Sequence, residues 1–435
     1  METITLTRTV PKGAFYDVIV CGSGPSGITA ALSAARAGKR TALIERYGVV
    51  GGNLTIGHVG PILGVVGPGT MRDEIMPLLG VPDNDELGVV GVAHDFERAK
   101  SVLTHLLDAE NIDTYLQSPV VDVVMDGDEI AALIIGSKEG LLGLSAKIYI
   151  DATGDGDVAA LAGGIVEYGR PGDGLAQPVT LEFLIDGVDE SKAITCIGEV
   201  DDVSYKGEPF IEYTKRHAQA GNLPEHLFSV RLHRTTVSGQ RNVNTTQMNK
   251  INALKPGEMM IAEAELRRQI YQVTDFLNKH VEGYENARVI SSSGTLGVRE
   301  TRRVIGDYVL SGDDVKSGRK FDDVIVHDAC FIVDIHNPTG GGQSTGGAPE
   351  EAKPYDIPYR CFLPKGIENL YTTGRCISGT HEAMASYRVM SICLAMGQAI
   401  GVSAAECVTQ EKKPRELEVA TVQKKLENLG VILFG

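Results

Sequence analysis

The chain has no CxxC pair, no tryptophan, no block of basic residues and no long apolar run. The missing tryptophan decides nothing by itself, but the other absences each close off a class of function. The seven cysteines (Cys21, Cys196, Cys330, Cys361, Cys376, Cys393 and Cys407) are scattered, and no His/Cys spacing has the zinc or iron–sulfur form. Dithiol–disulfide chemistry and a metal site are therefore not expected, and the odd set reads as reduced thiols in a cytoplasmic protein. Basic residues are outnumbered, 41 Lys+Arg against 57 Asp+Glu, for a net charge of −16. Such a surface repels phosphate backbones and anionic lipid, so neither nucleic acid nor membrane is an expected partner. The most apolar late stretch, 391–405, is short for a bilayer span and carries Gln398. The opening METITLTRTVPKG reads as a polar extension rather than an export leader.

Glycine, by contrast, is abundant: 51 in 435 residues, aperiodic, and gathered where a backbone must turn or approach a ligand. The first such group follows a β-rich run, Tyr16 to Cys21, and reads GSGPSG from Gly22 to Gly27. Ile28, Ala31, Leu32 and Ala35 then recur at helical spacing up to Gly38, and a second run, Thr41 to Ile44, ends on Glu45. Strand, glycine turn, helix and strand within about 30 residues make one βαβ dinucleotide unit. Gly22 permits the turn, Gly24 lets backbone approach a pyrophosphate, and Gly27 lets helix pack on strand. The pyrophosphate is expected at the positive end of the helix dipole. Glu45, ~20 residues on, is placed to accept the ribose hydroxyls and to repel a 2′-phosphate. NAD and FAD both contain ADP, so this fingerprint alone leaves the two open.

Farther along, 94–110 has the pattern of a helix. Segments 120–125, 130–135 and 146–151 read as strands, with a hairpin turn at Asp126-Gly127-Asp128. Ala262, Leu266, Ile270, Val273 and Leu277 form the apolar stripe of a further helix. Beyond Pro354 a short strand, Leu370 to Thr373, precedes a glycine and one long helix of small residues from about Ala383 to Glu406. The expected organisation is a cofactor domain made from 1–163 and 336–435, with a substrate domain, 164–335, inserted between them.

In GSGPSG with Glu45, in IDATGDGDVAALAG, in GVRETRRVIGDYVL and in IPYRCFLPKGIENLYTTGRCISGTHEAMASYRVM, the sequence resembles the FAD-dependent oxidoreductase family. That family shares its cofactor domain with the glutathione-reductase and fumarate-reductase flavoproteins. The resemblance runs from about Tyr16 to about Ala405. It implies an α/β fold: a Rossmann-like FAD-binding domain, a parallel sheet with a β-meander, plus an inserted α+β substrate domain. It places FAD against Gly22, Gly24, Pro25, Ser26, Gly27, Glu45, Arg46, Gly51, Gly52, Asn53, Val120, Ala152, Thr153, Gly154 and Asp157. From the returning part it adds Gly374, Arg375, Ser386, Arg388 and Val389, with the last helix aimed at the flavin pyrimidine. Many relatives carry Gly-Asp where this chain has Gly374-Arg375, so the acid's contact with the ribityl hydroxyls is in doubt and Arg375 is assigned to the pyrophosphate instead.

No second GxGxxG follows a strand, so the flavin is expected to be the redox centre, with the protein supplying orientation and a proton. The acid/base candidate is His336, in a loop whose Gly340-Gly341-Gly342 run would let backbone pass an isoalloxazine; a loop histidine bonded to a carbonyl is the competing reading. His381 is the second candidate, against a polar cluster at a helix start, and His58 the third, with a conceivable covalent tether. Arg388 is expected to touch cofactor or substrate. Arg302 and Arg303 read as an interdomain salt-bridge cluster, and Arg231, His233 and Arg234 as solvated. The expected function is hydride transfer between a small polar substrate and flavin N5, with an unidentified electron acceptor and a symmetric homodimer. Three alternatives stand beside it: an ene-reductase of fumarate-reductase type with an arginine proton donor, an electron-transfer subunit holding FAD, and a plain NAD dehydrogenase.

Overall fold

A computed structural model describes residues 4–80, 92–196, 203–343 and 350–434. The expected βαβ unit is β1 (Lys12–Cys21), α1 (Pro25–Arg36) and β2 (Thr41–Ile44). β1 starts ahead of the apolar run because its first residues still pair, Lys12 opposite Gly143, before an irregularity in register. Helix α2 (Phe96–Ala109) is capped by Asp95, whose carboxylate accepts from the N–H groups of Glu97 and Arg98. It leads to β3 (Asp113–Tyr115), which extends the sheet beyond β2.

The meander is β4 (Val120–Asp126), β5 (Glu129–Ser137) and β6 (Gly140–Asp151). Its first turn needs Gly127 at φ 63°, as the Asp-Gly signal requires. β6 does two jobs along its length. Its first half pairs antiparallel with β5; its second half pairs parallel with β1 on one side and with β7 (Leu370–Thr372) on the other. Two sections of chain more than 200 residues apart thus share one sheet, because a doubly paired strand satisfies its backbone on both edges.

The insert carries a second, five-stranded sheet in the order 288–292, 183–186, 241–244, 231–235, 92–93. The predicted stripe on α3 (Pro256–His280) packs with Phe183, Ile185, Leu232 and Val243 in a core of its own. Leu310, Val315, Ile325, Val326 and Phe331 lie in another core, with α1 and the C-terminal helix. These residues thus pack with α1 although they precede 336, and strand 92–93 pairs with strand 231–235 although it precedes 164.

The long C-terminal helix expected from Ala383 is two helices. α4 (His381–Tyr387) ends at Arg388, Val389 is extended (φ −73°, ψ 153°), and α5 (Met390–Gln410) begins after it. The break is held by tertiary contacts invisible in helical periodicity: the N–H of Ser391 donates to the carbonyl of Leu63. α5, at 21 residues, is longer than the apolar run and meets the length and hydropathy of a membrane span, but the fold buries it on all sides. Its small residues have a packing reason. A Cβ on Gly397 would lie 1.9 Å from the carbonyl oxygen of Ser26, and one on Gly401 2.3 Å from that of Ala30. α5 and α1 thus pack backbone to backbone, and Thr29 Oγ1 donates to the Leu394 carbonyl at 2.8 Å.

Candidate active site

The glycine turn has three different environments. Gly22 sits at φ 94°, where an L side chain is strained, and a Cβ would also meet the Ala152 carbonyl at 2.5 Å. Gly27 faces the turn itself, its hypothetical Cβ 1.8 Å from the Gly22 oxygen. Gly24 faces open space: nothing lies within 4 Å of a Cβ there. That space is the mouth of α1, where Ser26 and Gly27 N–H groups have no acceptor within the helix. Glu45 is buried, its carboxylate accepting from Ser23 N–H at 2.8 Å, Ser23 hydroxyl, and Tyr47 N–H at 2.8 Å. These bonds hold the acid rigidly beside the turn.

From here a cavity of about 520 Å³ runs between the two domains. It brings together Gly22, Gly24, Pro25, Ser26, Glu45, Arg46, Gly52, Asn53, Val120, Ala152, Thr153, Gly154, Asp157, Arg375 and Arg388, all expected at a cofactor. Gly27, Gly51, Gly374, Ser386 and Val389 stand outside its lining. Gly51 (φ 111°) and Gly374 (φ 80°) shape the turns behind it, and Gly374 passes so close that a Cβ would meet Ser26 Oγ at 2.5 Å. Ser386 is fully buried and donates to the Phe331 carbonyl.

Several lining residues were not anticipated. Ile56, Ser118, Ala253, Met259, Thr295, Leu296 and Val298 close the cavity, five of them contributed by the insert, where no motif marks them. Asp155 is a further omission, although it lies inside the quoted IDATGDGD. It accepts from Thr301 Oγ1 at 2.6 Å and from Arg375, with Arg46 at 3.5 Å. Burial works against its charge, but Arg375 and Arg46 hold its carboxyl below the usual range. Arg375 thus has a protein carboxylate as its partner in this structure. Arg302 reaches the Asp155 carbonyl and Asp157, and Arg303 bonds its near neighbour Glu300 and the Gly379 carbonyl.

At the far end, Arg388 Nη2 donates to the carbonyl and carboxylate of Asp334, at 3.0 and 3.2 Å. Asp334 also accepts from His336 Nε2 at 3.2 Å and Gln343 Nε2 at 2.9 Å. Burial opposes the Asp334 charge, yet His336 and Arg388 hold its carboxyl well below the ordinary range. His336 does not itself line the cavity; it is buried behind Asp334, which links it to Arg388. Its pKa also corrects the near-neutral value expected from its type: burial, then the Arg299 guanidinium, push it down to about 3 against the pull of Asp334. At neutral pH the imidazole is uncharged, its proton on the Nε2 that faces Asp334 and its Nδ1 an acceptor.

His381 is placed elsewhere. Its Nδ1 lies 2.9 Å from Glu300, which also binds Arg303 and the Gln177 N–H, so it belongs to the domain-joining cluster. His58 stacks on Phe96 at 4.6 Å, outside the cavity lining, and burial, then Lys100, lower its pKa to about 4. His233 corrects its solvated reading: it is 3 % exposed, because the sheet face opposite Leu232 is also covered, as the bond from its cross-strand neighbour Asn242 to the His58 carbonyl shows. One group of metal-type ligands exists among the described residues, His327, Asp328 and Asp356, and the Lys320 ammonium already bridges its two carboxylates.

The open face at Gly24, the rigid ribose acid and the guanidinium groups along one wall fit an elongated, doubly phosphorylated dinucleotide. Geometry of this kind defines a class, an FAD-binding oxidoreductase on a Rossmann-type unit, and sequence comparison agrees with it. The chain belongs to the FAD dependent oxidoreductase family, whose model matches residues 17–426. Among curated relatives it is similar to thiamine thiazole synthase of Methanococcus aeolicus, 33% identical over 153 residues, covering 33% of this chain and 57% of that one. It is also similar to digeranylgeranylglycerophospholipid reductase of Picrophilus torridus, 27% identical over 162 residues, 32% of this chain and 39% of the relative. The chain thus spans less than two thirds of these relatives. A solved geranylgeranyl bacteriochlorophyll reductase-like protein from Thermoplasma acidophilum superimposes with a TM-score of 0.49 at 14% identity, covering 95% of this chain and 83% of its own.

Proposed function

We propose that this protein transfers a hydride between a small polar substrate and FAD, where the cavity meets the insert. FAD supplies a hydride acceptor or donor at N5 when bound. The remaining work falls to the chain. Gly24 and the mouth of α1 would seat the pyrophosphate, Glu45 the ribose, and Asn53, Arg388 and Met390 the far end of the cofactor. Leu296, Val298 and Met259 exclude water from the junction. For oxidation, the O–H or N–H proton released together with the hydride would reach His336 Nδ1 only as a transient relay through an intervening water, because the imidazole stands behind the cavity wall; the reverse direction would return both. Asp334 fixes the tautomer that leaves Nδ1 free to accept.

One observation carries the reading: the cavity that begins at the fingerprint ends on Arg388, whose partner Asp334 also holds His336. The test is an absorption spectrum of the purified protein, then anaerobic titration with alcohols, amines and hydroxy acids. Flavin bands that bleach with one class of substrate support it. A protein that stays colourless after incubation with FAD overturns it.

A further inference from the structure

The insert's sheet turns two unlike faces to its neighbours. Phe183, Ile185, Leu232 and Val243 pack on α3, whereas the intervening positions on two adjacent strands are Arg231, His233, Asn242 and Asn244. His233 pairs across with Asn242 and Arg231 with Asn244, forming a polar row. His233 Nδ1, Asn242 Oδ1 and Asn244 Oδ1 are buried without a hydrogen-bond partner. Native interiors seldom leave such groups unmatched.

Arg299 is electrostatically coupled to Arg231, Arg388, Asp334 and the buried Glu182, all around this face. It is 9 % exposed, donates one hydrogen bond, from Nη1 to the Pro178 carbonyl, and makes no ion pair among the described residues. Burial, then Arg388, lowers its pKa to about 9. Arg388 Nε is likewise buried without an acceptor. Asp334 is paired with Arg388 and His336, and burial raises Glu182 to about 8, leaving it largely protonated at neutral pH. Of the two carboxylates that face Arg299, Asp334 is the one ionised at neutral pH, and it already pairs with Arg388. A buried cation without a counter-charge is costly, and an anion entering from outside removes that cost.

We propose that the substrate is a carboxylate, its anionic end held between Arg299 and Arg388 against the polar face of the insert's sheet. This rests on the hydride-transfer reading of the adjoining cavity, which Arg388 lines and which Arg299 adjoins through its neighbour Val298. A planar guanidinium fork matches the two oxygens of a carboxylate. A phosphate would be better served by a nest of free backbone N–H groups, and the strands here spend theirs on the sheet ladder.

The experiment titrates the flavin-loaded full-length protein with sodium acetate and benzoate, and separately with acetamide, benzamide and inorganic phosphate, following the visible flavin band. The carboxylates should produce a saturable spectral shift that the amides and phosphate do not. Arg299→Gln should weaken carboxylate binding roughly tenfold or more, with FAD content unchanged and Arg299→Lys intermediate. Equal responses to amides or phosphate overturn the proposal, as does no response to carboxylates. So does an Arg299→Gln protein whose flavin potential moves while its carboxylate affinity stays constant, for then the arginine serves the flavin's own charge. Should Arg299→Gln fail to fold, the wild-type contrast and Arg299→Lys decide. Failure confined to carboxylates, in a protein that a neutral substrate still bleaches, overturns this inference alone; failure to take up FAD overturns both readings.

Discussion

Replacing Gly24 by alanine should separate cofactor binding from folding. Gly24 has φ −66° and ψ −177°, a conformation open to any residue, and its Cβ would meet no atom of the protein within 4 Å. Lost flexibility in the unfolded chain favours the variant by about 0.4–1 kcal/mol, while alanine in place of glycine at a helix N-cap costs about as much. The flavin-free protein should therefore change stability by less than about 1 kcal/mol. The new methyl stands where the pyrophosphate must approach, and overpacking of that kind costs about 1–3 kcal/mol, or roughly 5- to 150-fold in Kd. Gly27→Ala should behave in the opposite way: its methyl would lie 1.8 Å from the Gly22 carbonyl, backbone that cannot rotate aside, so flavin-free stability itself should fall by about 3 kcal/mol or more. The assays are thermal unfolding of flavin-stripped protein and FAD titration by quenching of flavin fluorescence. Gly24→Ala binding FAD as tightly as wild type, or losing as much stability as Gly27→Ala, would refute the reasoning.

His336→Gln should slow anaerobic bleaching by substrate about 10²- to 10⁴-fold while FAD content is retained; an unchanged rate removes His336 from the proton path. Asp155→Asn leaves Arg375 and Arg46 without their carboxylate, and a loss of about 3 kcal/mol in flavin-free stability is expected by denaturant unfolding. No loss would mean that Asp155 serves only the ligand. Burial raises Glu182 from the ordinary 4.5 to about 8, so the folded chain keeps a proton that the unfolded chain sheds between those values. Its contribution is fully present below about pH 4.5 and is lost as pH rises through about 8. Glu182→Gln should flatten that part of the stability profile, measured as unfolding midpoints across the range, and an unaltered slope would contradict the assignment.

Short-range patterns carried most of the cofactor half. The βαβ unit, the acid at Glu45, the Asp126-Gly127-Asp128 hairpin and the stripe on α3 each depend on neighbours a few residues away in sequence. Backbone geometry imposes a period on such neighbours, and the period can be read directly. The same reading missed the break at Arg388–Val389, since an N–H satisfied by Leu63 leaves no trace in helical spacing. It also called His233 solvated and gave His336 a titratable value near neutrality. Whether a polar side chain is wet or dry depends on what is packed over it, and for both histidines the covering elements lie far away in the chain. Asp155 and Arg299 were legible as residue types but not as partners, because the charges that define them arrive from other segments of the chain, such as Arg375 for Asp155 and Arg388 and Asp334 for Arg299. Local periodicity is a property of the chain, whereas burial and charge neutralisation belong to the assembled fold, which alone brings Arg299, Arg388 and Asp334 together in one low-dielectric place.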